Sequence, residues 1–179
     1  APTLTVTTSD NDTVDLTIVE SGSGTTAVEG GDNDTFTVRL ASRPTGSVVL
    51  SVQASNSADV SVNPTTLSFD NSSSSWQTAQ TVTVSAVNDA VDDDNVTSTI
   101  TISVNTSSTT DGKYDLVSSD NLTVVTVSDN DTVGLVLSKS SGVVSENGSV
   151  SDNVSVVLSS EPTNNVTVTV SDNDSTEVS

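Results

Sequence analysis

The sequence predicts an all-β protein built from tandem Greek-key, immunoglobulin-like β-sandwich repeats. Three observations lead to this prediction. Val, Leu and Ile alternate with Ser and Thr in many short segments, which is the period-two pattern of half-buried strands. Clusters of Gly, Asn, Asp and Pro, the residues that form turns, separate these segments. The chain also repeats itself at long range, as tandem arrays do.

The repeat is clearest at the phrase SDNDTV, which occupies Ser9–Val14 and again Ser128–Val133. A strand-like run precedes each copy, at Thr3–Thr8 and at Leu122–Val127. The landmarks that follow pair at offsets of 117 to 119 residues: Glu29 with Glu146, Leu40 with Leu158, Pro44 with Pro162, and Val52 with Val170. A partial third copy, Ser171–Ser175, does not fit this offset and is treated as a local resemblance. One repeat is therefore about 118 residues long, a usual size for a sandwich.

These offsets predict the domain organisation. Residues 1–12 should hold the last strand of a preceding repeat, residues 13–131 a complete sandwich, and residues 132–179 the first part of the following repeat. A partial sandwich exposes sheet edges and apolar faces. We therefore expect neighbouring copies or repeats of the same protein to complete the ends, by strand addition between copies or within a longer chain. No leader is visible before Ala1, so the chain is expected to be processed or excerpted.

Nine short strands are expected in the complete repeat, with apolar side chains such as Phe36, Val38 and Leu40 facing inward. The second is expected to continue the sheet edge that the first begins. The nine are Val14–Val19, Thr25–Glu29, Thr35–Leu40, Val48–Ala54, Val60–Val62, Leu67–Phe69, Thr81–Val87, Val96–Val104 and Leu122–Val127.

The charge balance excludes several classes of function. The chain has 24 acidic and 4 basic residues, a formal net charge of -20. So few cations cannot neutralise a row of phosphates, and an anionic bilayer would repel the chain. No stretch is apolar enough to span a bilayer. We therefore expect neither nucleic-acid binding nor membrane insertion, whereas the many carboxylates favour bound cations.

The residue types that the chain lacks exclude further kinds of metal site and catalytic mechanism. The chain contains no Cys, Met or His, which excludes disulfides, Cys/His zinc sites and Ser-His-Asp triads. Carboxylate pairs can hydrolyse glycosides, but that reaction needs a sugar cleft, and Phe36, Phe69, Trp76 and Tyr114 are the only aromatic residues. We therefore expect no enzymatic activity. The remaining oxygen ligands suit calcium.

The carboxylates that follow expected strands are the candidate calcium ligands. Because strand ends gather at the two poles of a sandwich, carboxylates from separate loops can meet at one pole. Their mutual repulsion there is removed by a divalent cation bound through six to eight oxygens. The candidates are Glu29, Asp59, Asp89, Asp92, Asp93, Asp129 and Asp131.

In these features the chain resembles the Calx-beta family, calcium-binding sandwiches of sodium/calcium exchangers and large surface proteins. The resemblance covers most of the complete repeat. It implies that Glu29, the run Asn88–Asp94 and the triplet Asp129–Asp131 hold calcium, with Asp59 near the family's middle acidic ligand. The chain departs from the family at Asn88 and Asn130, where Asp is usual, and NSADVS replaces the family's DGTA…DY signature.

Each candidate also has a plainer interpretation. The run Asp92–Asp94 fits a solvated acidic loop, Asp129–Asp131 fits a linker of turn-forming residues, and Glu29 fits an exposed edge charge. Trp76 is expected to cover one end of the sandwich rather than to stack on a sugar. Tyr114 is expected to be a packing residue rather than a catalytic one.

The chain is rich in N-x-S/T sequons, more so than its composition gives by chance, which favours N-glycosylation of an extracellular protein. An Asn- and Thr-rich composition selected for solubility and strands is the alternative. Asn130 cannot readily serve as both a glycan attachment point and a metal ligand. The sequons are at Asn11, Asn33, Asn71, Asn95, Asn105, Asn121, Asn130, Asn147, Asn153, Asn165 and Asn173.

Together these features favour a structural repeat of a secreted or cell-surface stalk or filament, stiffened by calcium at the domain junctions. The main alternative is an adhesin module that binds a protein or a glycan, although the scarcity of aromatic residues disfavours the glycan. A calcium-sensing regulatory domain is a second alternative, which the dense sequons disfavour.

Overall fold

The computed structural model describes residues 2–72 and 74–171, and the chain divides into two compact units. The first unit comprises residues up to 88 together with 95–128. The second comprises residues 89–94 together with those from 129 onward. The acidic segment Asp89–Asp94 interrupts the first unit in sequence but belongs structurally to the second.

The first unit is a β-sandwich of two sheets, as the alternating pattern predicts. One sheet has the order β1-β3-β7-β5 and the other the order β2-β9-β8-β4-β6. All neighbours are antiparallel except β2 and β9, which are parallel. The strands are β1 Leu16–Glu20, β2 Thr26–Val28, β3 Asp34–Leu40, β4 Val48–Ala54, β5 Val60–Asn63, β6 Thr66–Phe69, β7 Gln80–Ala86, β8 Val96–Val104 and β9 Asp120–Ser128, with a 3-10 turn at Tyr114–Leu116.

The core lies between these two sheets and consists of the residues that alternate inward. Phe36, Val38 and Leu40 of β3 are fully buried, and Leu50 and Ile100 meet them from the other sheet. Removing each such side chain from water contributes about 1.5–3 kcal/mol. Trp76 packs against this core, which agrees with its expected covering role. Burial of apolar side chains therefore holds the first unit together.

The second strand differs from its prediction. Instead of continuing the edge of β1, β2 leaves that sheet and pairs with β9 of the other, with Ala27 opposite Val127. Gly22 lies at φ +103° between β1 and β2, a conformation that favours glycine, and it ends the first strand. The Asp34 carboxylate then accepts hydrogen bonds from the Ser21 hydroxyl and from the Thr26 backbone N–H. The crossing between sheets thus depends on a glycine and one carboxylate.

The second unit has two short strands among its described residues, β10 Leu135–Leu137 and β11 Val156–Leu158. They pair antiparallel with Leu135 opposite Leu158, which matches the pairing of Leu16 with Leu40 at offsets of 119 and 118 residues. Burial differs sharply, because Leu16 and Leu40 are 8% and 0% exposed, whereas Leu135 and Leu158 are 53% and 36% exposed. The second unit therefore reproduces the register of the first without its core.

Residues 2–15 form no strand, and Leu4 and Val6 are exposed. The proposed role of Thr3–Thr8 as the last strand of a preceding repeat therefore stays a prediction, as do the boundaries at residues 12 and 131. No helix among the described residues is long and apolar enough to cross a membrane.

Candidate functional site: an acidic cluster in the second unit

The candidate site consists of residues 89–94 and 129–133, here called the acidic cluster, all of which belong to the second unit. The segment Asp89–Asp94 connects β7 to β8, and Asp129 follows the last residue of β9. Strand ends therefore deliver both segments, as the sequence predicts. Asp94 adopts φ +64°, so the backbone turns sharply at the end of the first segment.

Backbone N–H groups hold the carboxylates of the acidic cluster in place. Asp129 accepts hydrogen bonds from the N–H of Asp131 at 2.8 Å and from the N–H of Asp93 at 3.1 Å. Asp92 accepts a hydrogen bond from the N–H of Val133 at 2.7 Å. Asp89 accepts one from Val91 at 2.7 Å and so shapes the start of the loop. Asp92, Asp93, Asp129 and Asp131 are thereby brought together.

The hydrogen bonds to Asp129 favour the charged form of its carboxyl. The backbone N–H of Asp131 makes the largest contribution to lowering the pKa of Asp129 below its ordinary 3.8. Slight burial opposes this effect, and the N–H groups of Asp93 and Asp94 lower the pKa further. Asp92 and Asp129 bring two carboxyl groups into the same cluster, and a cation that both can bind offsets the repulsion between like charges.

Asp131 contributes an oxygen that lacks a protein partner. Its Oδ2 atom is buried and forms no hydrogen bond within the described part of the chain. Oxygens of Asp129 and Asp131 lie within 4.8 Å of each other, a separation that one metal ion can bridge. A buried oxygen without a donor is unfavourable unless a cation or a water molecule meets it. Oxygen ligands at this spacing suit calcium or magnesium rather than a softer metal.

The two remaining candidates, Glu29 and Asp59, belong to the first unit. Glu29 is buried, which rules out the alternative that it is an exposed edge charge, and its N–H donates to the carbonyl of Ser128 at 3.1 Å. Asp59 accepts a hydrogen bond from the Asn56 side-chain amide at 2.5 Å, and its carbonyl accepts one from Val87 at 2.9 Å. Both residues therefore bond to positions where the chain leaves the first unit.

The sequence analysis missed a polar cluster around Asp111, which is 2% exposed. Its carboxylate accepts hydrogen bonds from the N–H of Thr45 at 2.6 Å and of Lys113 at 2.9 Å. The Tyr114 hydroxyl donates to the carbonyl of Ser42 at 2.6 Å. Tyr114 is thus a buried packing residue, as expected. The available signal was the Asp–Gly pair at 111–112, which is typical of a turn whose carboxylate binds the backbone.

Asp111 should make the stability of the first unit depend on acid pH. Burial raises the pKa of Asp111, but the hydrogen bonds from Thr45, Lys113 and Tyr114 outweigh burial and hold the pKa below 3.8. The folded state therefore favours the charged form, and this stabilisation is present above pH ~4 and lost as the pH falls through the lowered pKa. We expect Asp111→Asn to cost about 1–3 kcal/mol at neutral pH.

The measurement is urea unfolding from pH 7 to pH 2.5, with Asp115→Asn, an exposed neighbour, as the matched control. Because Asp34, Asp70 and Asp129 also have lowered pKa values, the informative quantity is the difference between variant and parent. That difference should shrink below pH ~4. A difference that is constant across the range contradicts the role assigned to Asp111.

Comparison with known proteins gives little guidance. No protein-family model matches the sequence, and no curated protein matches it. Among solved structures, the chain is similar to SSP-19, an MSP-domain-like protein of Caenorhabditis elegans, with 12% identity, a TM-score of 0.35, and coverage of 59% of this chain and 92% of that one. It is also similar to the YadV chaperone, with 9% identity, a TM-score of 0.36, and coverage of 65% and 51%. Likenesses this distant carry no functional argument.

Proposed function

We propose that the chain is a non-catalytic structural repeat of a secreted or cell-surface stalk or filament, and that calcium stiffens it where one repeat meets the next. The observation that carries the proposal is the position of Asp89–Asp94. This loop lies between β7 and β8 in sequence, yet it folds with residues 129 onward. In a tandem array, such a loop would attach each repeat to the following one.

The acidic cluster supports calcium as the stiffening ligand. Asp92, Asp129 and Asp131 converge there, and one buried oxygen of Asp131 lacks a protein donor. The matching registers of β1–β3 and β10–β11 support the tandem organisation. Glu29 and Asp59 bond to Ser128 and Val87, which lie one and two residues before the two segments of the cluster. These features fit the Calx-beta resemblance, which we retain as part of the proposal.

An extracellular location and N-glycosylation belong to the same proposal. Eight sequon asparagines are exposed and accessible: Asn11, Asn33, Asn71, Asn95, Asn130, Asn147, Asn153 and Asn165. Asn105 is half-buried, Asn121 lies in β9, and Asn173 lies outside the described residues. Expression in a glycosylating host followed by glycopeptide mass spectrometry would identify the occupied positions. We expect Asn130, within the acidic cluster, to remain unmodified.

We further propose that the exposed faces of the second unit are covered by more strands, from the same long chain or from a neighbouring copy. Leu135 and Leu137 are each more than half exposed, although their counterparts in the first unit, Leu16 and Ile18, belong to or pack against its core. Strand addition would bury these side chains and satisfy the open backbone groups of β10 and β11.

Calcium is expected to raise the melting temperature of the chain. If it binds with a Kd of about 10⁻⁴–10⁻³ M, as in extracellular modules, a concentration of ~100 Kd adds about 2.7 kcal/mol to the stability of the structure that binds it. The melting temperature should then rise by about 5–10 °C. Thermal melting by circular dichroism and calorimetric titration measure the effect, and small-angle scattering with calcium and with chelator measures the stiffening.

The chain supplies a matched control, because the motif of Asp129 and Asp131 recurs at Asp10 and Asp12 without an acidic loop of its own. Asp129→Asn/Asp131→Asn should abolish the calcium response, whereas Asp10→Asn/Asp12→Asn should leave it intact. A melting temperature and maximum dimension that calcium does not change would rule out calcium as the stiffener.

A further inference from the structure

One pole of the first unit carries a polar cavity of about 240 Å³, here called the pole pocket. Arg43 and Lys113, two of the four cations in the chain, line it together with Asp10, Asp12 and Val14. Two cations at one small pocket are notable in a chain of net charge -20. The lining also contains the carboxylates of Asp10, Asp12 and Asp111, so Arg43 and Lys113 are the groups of this pocket that can pair with an anionic segment.

The pole pocket is rigidly built. Its floor contains Asp111 and Tyr114, which are 2% and 1% exposed. The Thr45 N–H donates a hydrogen bond to the Asp111 carboxylate, and the Tyr114 hydroxyl donates one to the Ser42 carbonyl. The loop that carries Arg43 is therefore fixed on both sides. The Arg43 guanidinium donates to the carbonyl of Asn71 through Nε at 2.9 Å and Nη2 at 2.6 Å, which orients it and leaves further N–H donors available. A preorganised surface binds a ligand with less loss of entropy.

The second unit contains the counterpart of this surface with an occupant in place. Val133 and Glu161 correspond to Val14 and Arg43 at offsets of 119 and 118 residues, and both line a cavity of about 260 Å³ that Val91 and Asp92 also line. The Glu161 N–H donates to the carbonyl of Ala90 at 2.6 Å, and the Val133 N–H donates to the Asp92 carboxylate at 2.7 Å. What lies on this surface is thus the acidic β7–β8 loop of the repeat before it.

We propose that the pole pocket binds the acidic β7–β8 loop of a second copy of the repeat, with Arg43 and Lys113 pairing with carboxylates equivalent to Asp92–Asp94. This inference rests on the proposed tandem organisation and extends it to the surface that receives the loop. The Val14 N–H corresponds to the donor that binds Asp92. Asp10 corresponds to Asp129, which accepts the Asp93 N–H, so its negative charge meets a backbone donor of the loop.

The two equivalent surfaces should differ in their need for metal. Glu161 in the second unit places another carboxylate beside an acidic loop, whereas Arg43 in the first supplies a cation at that position. Opposite charges at short range attract, and like charges repel unless a cation lies between them. Arg43 therefore offsets part of the repulsion that Asp10 and Asp12 exert on the loop, so the pole pocket depends less on calcium than the second unit does. Binding measured in chelator thus tests the inference separately from calcium stiffening.

The test is an NMR titration of the ¹⁵N-labelled full chain, in chelator, with a synthetic peptide of residues 86–96 at up to about 5 mM, the effective concentration that a short linker supplies. We expect shifts at the amides of Ser42, Arg43, Thr45, Gly46 and Lys113. Arg43→Glu/Lys113→Glu should weaken binding about tenfold. Lys139→Glu, which reverses a cation of the second unit, is the matched control. A peptide with Asn at positions 92–94 should also bind more weakly.

Trp76 fluorescence checks that the variants fold, and Arg43→Gln/Lys113→Gln replaces any that do not. Absence of shifts at 42–46 and 113, shifts confined to residues 160–165, or binding that the charge variants do not weaken would overturn the proposal. If the peptide fails to bind while calcium still raises the melting temperature, only the pole pocket is refuted. If the peptide binds but calcium has no effect, only the calcium proposal is refuted.

Discussion

Replacing Phe36 with alanine is expected to lower the free energy of unfolding of the first unit by about 3–5 kcal/mol. Phe36 is 0% exposed and lies in β3, opposite Glu20 of β1 and Val82 of β7. Because strands flank it on both sides, the sheet cannot readily move to fill the cavity. A loss of this size is a large share of the 5–15 kcal/mol that typically stabilises a domain.

Urea unfolding followed by Trp76 fluorescence measures the effect, because Trp76 is the only tryptophan and packs against the core. Val19→Ala in β1 is the matched control, since Val19 is 56% exposed and its truncation should cost less than about 0.5 kcal/mol. If Phe36→Ala does not fold, Phe36→Leu gives a smaller loss that can be measured. Equal losses for Phe36→Ala and Val19→Ala would show that the core does not hold the sandwich together.

Tyr114→Ala is expected to cost the first unit about 3–5 kcal/mol, although Tyr114 lies outside the strands. Tyr114 is 1% exposed and belongs to the core cluster, and its hydroxyl donates to the carbonyl of Ser42 at 2.6 Å. The side chain therefore fills the end of the core and also fixes the loop after β3. Both contributions are lost in the alanine variant.

The conservative variant separates these two contributions. Tyr114→Phe keeps the ring and removes the hydroxyl donor, which leaves the buried Ser42 carbonyl without that hydrogen bond, so we expect a loss of about 1–3 kcal/mol. Leu116→Ala is the control within the same 3-10 turn, because Leu116 is 86% exposed. If Tyr114→Phe were as costly as Tyr114→Ala, the packing contribution would be refuted.

Much of the fold was predictable because its signal is local. All nine expected strands occur in the first unit, with bounds that shift by no more than two residues at either end. In β3, β4 and β7, side chains at alternate positions face the core, so the alternation in the sequence reports burial directly. Phe36, Val38 and Leu40 are all buried as expected. The sheet membership of β2 was not predictable, because it depends on pairing with β9, about a hundred residues further along the chain.

The candidate site was partly predictable. Carboxylates at strand ends indicated Asp92, Asp93, Asp129 and Asp131, and the structure brings these four into one acidic cluster. It places Glu29 and Asp59 in the first unit, where each is held by hydrogen bonds of its own. Asp111 was missed, because a single Asp in a loop resembles the many exposed Asp residues of this chain until its burial is known.

The sequence by itself determined the strands, their inward faces, the acidic and cysteine-free chemistry, and the offset at which the chain repeats. These properties follow from side-chain type and from spacing along the backbone. Only the tertiary structure decided that Asp89–Asp94 folds with the second unit, that β2 crosses to the other sheet, and that Arg43 and Lys113 share one pocket. Each of these features depends on contacts between residues far apart in the chain. Closing the long loops between such residues costs entropy, and the contacts offset that cost only when the whole fold forms.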